Sequence, residues 1–543
     1  MERIKVKLHL NGWALISYVM VVLILLPTIE IILNLLKPVN ENWAHIKKYM
    51  LLAYVTDSIK LTTAVVLFTV IIGVLSAYFI TFYDFPFRKF FKWVLVLPMA
   101  IPPYIGAYTY NGLLSYTGII QTTLRNRFGI LVNQKYFNIM SLKGAIFILT
   151  LFLFPYVYLI TKSFLEKQSA TLVESAKLLG KSNIEIFFKV IIPISRVAIV
   201  SGATLVALEV LSDYGVVAYF GVQTFTTAIF KTWFSLGDVE SSVRIAAILM
   251  VGVVFVILFE KFFRGRKKYS YSSTKIRPVV RKRLKGIKKN LVIMFFTIIF
   301  LFSFLIPTLQ LMYFAFLTYK RVLNMSFIVM TLNSLALSIL AAIIITIISL
   351  IIGNYCRINE SNLSKIISKI TMIGYSIPAA VIAISVILLF VNIDRKLKWF
   401  YLIINPNSKT LVLSTSIFML LFAYIIRFIG VSYQAIEAGY EKMGKSFFEA
   451  SRLLGQNTIK TFLKIDIPML KPAIISSLVL VFIDIIKELP LTLLLRPFNF
   501  NTLATRTFDY AADEMLQEAA VPAIIIILIS IVAISFINRF DKE

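Results

Sequence analysis

The chain has 543 residues, of which 59% are hydrophobic and 15% charged, with a mean hydropathy of +0.85. A soluble protein of this length keeps about 25% charged residues, so the composition excludes an ordinary soluble fold and points to a polytopic membrane protein. The formal charge of +29 raises nucleic acid as a partner, but the basic residues fall in loops between apolar runs, where membrane topology accounts for them, and no nucleic acid is expected. One cysteine, Cys356, and two histidines, His9 and His45, exclude an internal disulfide and a Cys/His zinc or iron–sulfur set.

The N-terminus is basic (Arg3, Lys5, Lys7) and then apolar over 13–36. That run is longer than a signal-peptide core and shows no small-residue cleavage site, so it reads as a retained first helix. A helix needs about 20 apolar residues to cross a bilayer. Further apolar runs predict spans at 58–82, 91–114, 143–162, 197–218 and 243–263. A second set falls at 291–317, 331–354, 366–392, 410–433, 472–495 and 521–540. Pro98, Pro102 and Pro103 interrupt the third span and Pro378 the ninth, which places both inside the bundle, where neighbouring helices satisfy the freed carbonyls.

Between the sets, 264–290 carries twelve Lys/Arg and no acid. Such a run reads as a passive basic cytoplasmic linker, because Lys/Arg resist translocation and face the anionic inner leaflet. With it and the N-terminus inside, about 35 Lys/Arg lie on the cytoplasmic side and about 15 outside. The expected class is an all-α polytopic membrane protein of about 12 transmembrane helices, six in 1–263 and six in 291–543, with both termini cytoplasmic.

The halves repeat. Glu174-Ser-Ala-Lys-Leu-Leu-Gly180, followed by Val190-Ile-Ile-Pro193, returns 275 positions later as Glu449-Ala-Ser-Arg-Leu-Leu-Gly455, followed by Ile465-Asp-Ile-Pro468. Asp57-Ser58 and Leu61 match Asn333-Ser334 and Leu337, and Phe225-Thr-Thr227 with Lys231 is paired with Phe500-Asn-Thr502 and Arg506. Two halves related by a pseudo-twofold axis along the membrane normal follow. In each motif the small residues after the glutamate (Ser175 and Ala176; Ala450 and Ser451) allow close helix approach. Gly180 and Gly455 permit φ > 0 at a helix end, and Pro193 and Pro468 restart the chain. Gly439-Tyr-Glu-Lys-Met-Gly444-Lys445-Ser446 fits the phosphate-loop pattern, but that loop needs a preceding strand, and here a membrane span precedes it.

Acids inside spans are costly and mark candidate sites. Glu209 and Asp213 in the fifth span, and Asp484 and Glu488 in the eleventh, are each spaced i, i+4, and the pairs are again 275 apart. Four carboxylates around the axis suit a hard, highly charged cation on its pathway. The competing reading is structural: Lys487 adjoins Glu488, and such acids pair with bases or cap a re-entrant segment. No metal ligand is assigned.

The motif E-[AS]-[AS]-x3-G-x9-[IV]-x-[IL]-P resembles the cytoplasmic signature of ABC-importer permeases. Tyr83-Asp-Phe-Pro86, Leu95-Val-Leu-Pro-Met-Ala-Ile-Pro102, the stretch 213–227 and Lys487-Glu-Leu-Pro490 running on to Arg506 resemble, more narrowly, the permease of binding-protein-dependent ferric-iron ABC transporters. The resemblance spans nearly the whole chain. It implies that Glu174, Ser175, Ala176, Gly180 and Pro193, with Glu449, Ala450, Ser451, Gly455 and Pro468, dock two copies of a cytoplasmic ATPase. It also implies an extracytoplasmic iron-binding protein as partner and location in the bacterial cytoplasmic (inner) membrane, among its lipids. ATP and magnesium are then expected on the ATPase, with no cofactor bound by this non-catalytic chain. Asp466 departs from the apolar Ile191 of the first copy. Thiamine permeases share the double-length layout, and sulfate and polyamine permeases share the loop. An ion-coupled secondary transporter using the four carboxylates is the rival from another class, but it leaves the two docking motifs unexplained.

Overall fold

The computed structural model describes residues 12–166, 171–264, 281–359, 361–405 and 411–540. Each predicted span is helical. Among the described residues eight helices are long and apolar enough to cross a membrane: Gly12–Leu35, Leu51–Phe82, Leu142–Glu166, Asn183–Ser212, Val239–Arg264, Gly286–Val322, Met325–Ile358 and Ile417–Met443. Three more spans are broken: Arg88–Ala100 with Pro103–Phe128 at 92°, Asn362–Ser376 with Ala379–Ile404 at 107°, and Thr458–Met469 with Lys471–Ile486 at 74°. Ala520–Phe540 is the twelfth.

The breaks in the third and ninth spans follow from proline. Pro102 and Pro378 stand just before the new helices with extended backbone, ψ 137° and 141°. Proline cannot donate to the preceding turn and biases the residue before it away from helix. Both spans lie inside the bundle as expected, with Ile101, Ile105 and the run from Ala379 to Ile384 buried. A related device recurs at Pro193, Pro307 and Pro468. Each follows one π-helical turn (Phe187–Ile191, Leu301–Leu305, Phe462–Asp466) that widens the helix where a proline would clash.

Two expectations need correcting. The fifth span does not run to 218, nor the eleventh to 495. Their helices stop at Ser212 and Ile486, and short helices Gly215–Tyr219 and Pro490–Leu495 follow in a new direction. The pairing of Phe225 with Phe500 is also out of register. Thr224 and Thr227 form a capping box at the start of Phe225–Phe234, as Thr502 and Thr505 do for Leu503–Ala512. The Phe225 N–H donates to Ser58 Oγ (3.2 Å), and the Leu503 N–H donates to Ser334 Oγ (3.0 Å). Phe225 therefore corresponds to Leu503, and the second half holds three extra residues before that helix. By the same register Lys231 corresponds to Asp509, not to Arg506.

Each half lends its first helix to the other. Gly12–Leu35 packs on the second half, with Trp13 against Phe462 (4.8 Å between ring centroids) and Tyr18 hydrogen-bonded to Tyr355 (2.9 Å). Gly286–Phe300 packs on the first, where Phe296 stacks on Phe85 and Phe91 at 5.5 and 5.4 Å. Of the expected linker, 265–280 lie outside the described residues, as do Arg3, Lys5, Lys7 and His9. The rest is not free chain. Lys282–Arg283 pair in parallel with Tyr83–Asp84, Leu284 N donates to Asp84 O (2.9 Å), and helix starts at Gly286. A cut at 265–280 is therefore expected to leave the halves associated through the exchanged helices and to preserve transport. Size-exclusion chromatography of the cleaved protein, with an uptake assay, checks this.

Candidate functional site

The two repeated motifs fold alike. Thr171–Leu178 ends in a left-handed glycine, Gly180 (φ 75°), and Ser446–Leu453 ends at Gly455 (φ 77°). The closing bonds match: Lys181 N donates to Ala176 O, and Gln456 N to Ser451 O, both at 3.1 Å. Next come short helices, Asn183–Ile186 capped by Ser182 and Thr458–Thr461 capped by Asn457. Glu174 is half-buried and Ser175 exposed, while Ala176 packs inward; Glu449 and Ala450 are exposed. Ser451, buried, hydrogen-bonds Thr461 (2.8 Å). Pro193 and Pro468 follow the π turns.

Both motifs present apolar tips that their spacing did not reveal. Leu178 is 90% exposed and Leu453 89%, with Leu179, Leu454, Ile184, Ile459, Phe188 and Leu463 also exposed at matched positions. Leucines held in solvent beside a helix-ending glycine make a surface for a partner. The second motif adds a buried charge. Asp466 is fully buried and paired bidentately with Arg357 at 2.5 and 3.0 Å. In the first half the same positions hold Thr81 and Ile191, both buried. The phosphate-loop pattern at Gly439 lies on the last turns of Ile417–Met443, with no strand before it.

The four intramembrane acids come together. A cavity of about 130 Å³ between the halves is lined by Glu209, Asp213, Asp484 and Glu488, together with Tyr104, Tyr156, Tyr375, Arg427 and Lys487. Their partners differ. Asp213 Oδ1 accepts from the Val216 and Val217 N–H groups (3.1 and 3.2 Å), so it caps the short helix after the break. Glu488 does the same with both oxygens: Oε1 accepts from Leu491 N (2.9 Å), and Oε2 from Thr492 N (3.0 Å) and Oγ1 (2.9 Å). Asp484 pairs with Lys487 at 3.0 Å. Glu209 accepts a 2.5 Å bond from the Tyr375 hydroxyl. Among the described residues no three His, Cys, Asp or Glu side chains are placed to hold a metal ion. The carboxylates alone are not a cage.

The caps predict an asymmetry. Asp213→Asn keeps one carbonyl oxygen for the two N–H groups that Asp213 Oδ1 serves. Glu488→Gln must turn an NH₂ toward a buried donor, which costs about 1–3 kcal/mol. Thermal unfolding in detergent should therefore show Glu488→Gln clearly less stable than Asp213→Asn.

Arg427, buried, was overlooked, although a lone charge in the apolar run 417–436 was legible. Its Nη1 donates to Ile377 O (2.5 Å) and its Nη2 to Ser212 Oγ (3.1 Å), and Ser212 Oγ also accepts from Ala379 N (3.1 Å). The guanidinium thus ties the end of the fifth span to the break in the ninth. Tyr156 and Tyr375 carried no sequence signal.

Comparison with known proteins supports this layout. The pattern of the family described as "Binding-protein-dependent transport system inner membrane component" matches residues 69–268 and again 346–543. The chain is 25% identical over 489 residues, covering 89% of each protein, to "Fe(3+)-transport system permease protein FbpB 2" of Haemophilus influenzae. It is 21% identical to "Ferric transport system permease protein FbpB" of Actinobacillus pleuropneumoniae, over 72% of this chain and 56% of that one. It is also 26% identical to "Molybdenum transport system permease protein ModB" of Escherichia coli, over 30% of this chain and 69% of that one. Two family matches, two exposed motifs and an acid-lined cavity between the halves make this chain a double-length, multi-pass membrane permease that belongs to the binding-protein-dependent transport family.

Proposed function

We propose that the chain is the permease subunit of an ATP-driven importer of ferric iron. The observation that carries this is the cavity in which acids at matched positions of both halves meet, in a chain related along 89% of its length to a permease named for Fe(3+). In this reading an iron-binding protein delivers the ion at the outer face of the cytoplasmic membrane. Two ATPase copies, which carry the ATP and magnesium, grip the Leu178–Leu179 and Leu453–Leu454 tips from inside, where both termini also lie. The chain itself binds no cofactor and catalyses no reaction. Hydrolysis moves the halves, and the cavity opens to one side and then the other. Glu209 and Asp484 supply negative charge along the route, while Asp213 and Glu488 hold the short helices that wall it.

An oxyanion is the second reading, favoured by Arg427 and Lys487 in the same cavity and by the molybdenum relative. Proteoliposomes holding the permease, ATPase and binding protein separate them. ATP-dependent accumulation of radioactive ferric iron is expected, with none of molybdate. Glu209→Gln combined with Asp484→Asn should lower iron uptake about tenfold or more, equivalent to ~1.4 kcal/mol of lost stabilisation. Uptake at the wild-type rate would return these acids to a purely structural role.

A further inference from the structure

We propose that Tyr375 and Tyr156, together with Glu209, form a phenolate–carboxylate waypoint that ligates the trivalent cation in the cavity between the halves. The proposal rests on the ferric reading above. It starts from a shortage: among the described residues no three acids are placed to hold a metal ion, two of the four are occupied as helix caps, and a third is paired with lysine. Glu209 is the one acid of the four hydrogen-bonded to a phenol, an oxygen donor for a hard metal: the Tyr375 hydroxyl at 2.5 Å. Tyr156 lines the same cavity as this pair and Asp484.

The fold presents these oxygens from three elements. Tyr375 is carried by the tight turn Gly374–Ser376 at the break in the ninth span, Tyr156 follows Pro155 in Leu142–Glu166, and Glu209 lies on the last turn of the fifth span. All three line the cavity. The set occurs once. At the positions related by the repeat, Tyr156 is matched by Val431, Tyr375 by Met99 and Glu209 by Asp484. A symmetric duplication would build two half-sites facing each other, whereas one set serves one ion.

Charge supports the assignment. Two phenolates and one carboxylate supply three negative charges against three positive ones, which leaves the adduct neutral in a low-dielectric cavity. Ligation replaces three bonds from the arriving iron to water or its carrier with two phenolate O–Fe bonds and one carboxylate O–Fe bond, and breaks the Tyr375–Glu209 hydrogen bond. The two phenol protons leave to water, no electron moves, and the iron stays ferric. The Arg427 guanidinium lies 5.7 Å from the Tyr375 ring centre. Its counterpart in the first half is the uncharged Phe152. Because the donors come from both halves, relative movement of the halves takes the set apart and releases the ion.

The test uses the full chain with its ATPase, in lipid nanodiscs with ferric nitrilotriacetate as probe for the spectrum and in proteoliposomes with the iron-binding protein for import. A ferric phenolate gives a visible ligand-to-metal charge-transfer band that carboxylate and water ligands do not. The band should appear in the wild type, weaken in Tyr156→Phe and vanish in Tyr156→Phe combined with Tyr375→Phe. The double variant keeps both rings and should melt like the wild type while importing iron at least tenfold more slowly. Iron import by a wild type that shows no band, or wild-type import by the double variant, overturns the phenolate assignment. A wild type that imports no iron at all instead overturns the ferric reading beneath it.

Discussion

Asp466→Ala should lower the unfolding free energy of the chain by about 3–5 kcal/mol, the cost of leaving one partner of a buried ion pair uncompensated. Arg357 and Asp466 join the end of the eighth span to the π turn beneath the second docking motif, with side chains only 6% and 0% exposed. The Arg357 guanidinium also lies over the Tyr440 ring (4.5 Å) and near the Phe448 ring (5.1 Å). The first half shows that an ion pair is not required there, since Thr81 and Ile191 are buried at the same positions. Replacing both partners, Arg357→Thr with Asp466→Ile, should therefore recover most of the stability that either single change removes, because an apolar substitute for both charges is often neutral. Thermal unfolding of the four proteins in detergent gives the cycle. Equal melting of Asp466→Ala and wild type would show that the pair is not load-carrying for the second motif.

Gly455→Pro and Gly180→Pro should each abolish coupling to one ATPase, whereas the alanine variants should be mild. Both glycines hold φ near +75°, and proline is fixed near −65°, so the helix-ending turn cannot form. Space is not the obstacle: a Cβ at either position meets nothing within 4 Å. Alanine therefore costs only the left-handed backbone, about 1–2 kcal/mol, and leaves the leucine tips in place. ATPase activity stimulated by the loaded binding protein measures the coupling. Stimulation that survives in both proline variants would mean that the turn does not set the docking surface.

The legible part of this molecule is the part governed by composition and by proline. Twelve apolar runs, the bends at Pro102 and Pro378, and the 275-residue repeat follow from how a bilayer and a missing N–H constrain any chain. The breaks at Asp213 and Lys487 were not legible. Val216-Val217 beyond the first and Leu491 to Leu495 beyond the second are again largely apolar, so each break is marked only by its acid, with Lys487 and Pro490 beside the second. The break is made by a carboxylate turning back to cap the next N–H groups, a tertiary choice with no periodicity. The register slip at Phe225 arose in the same way, since a Phe-x-Thr likeness outweighed the capping threonines that position the helix. Nothing in their spacing marks Leu178, Leu179, Leu453 and Leu454 as facing solvent, and only the fold shows them there. The cavity was half visible: acids stand out in an apolar span, whereas Tyr156 and Tyr375 do not.

The claim on which the rest depends is that one chain supplies both halves of the permease and both ATPase docks. Native mass spectrometry of the purified complex tests it most directly, by counting ATPase copies per permease chain. The account predicts two copies on the wild type, one when Leu178 and Leu179 are both changed to Asp, and none when Leu453 and Leu454 are changed as well. A single copy on the wild type, or two that persist through all four changes, would contradict it.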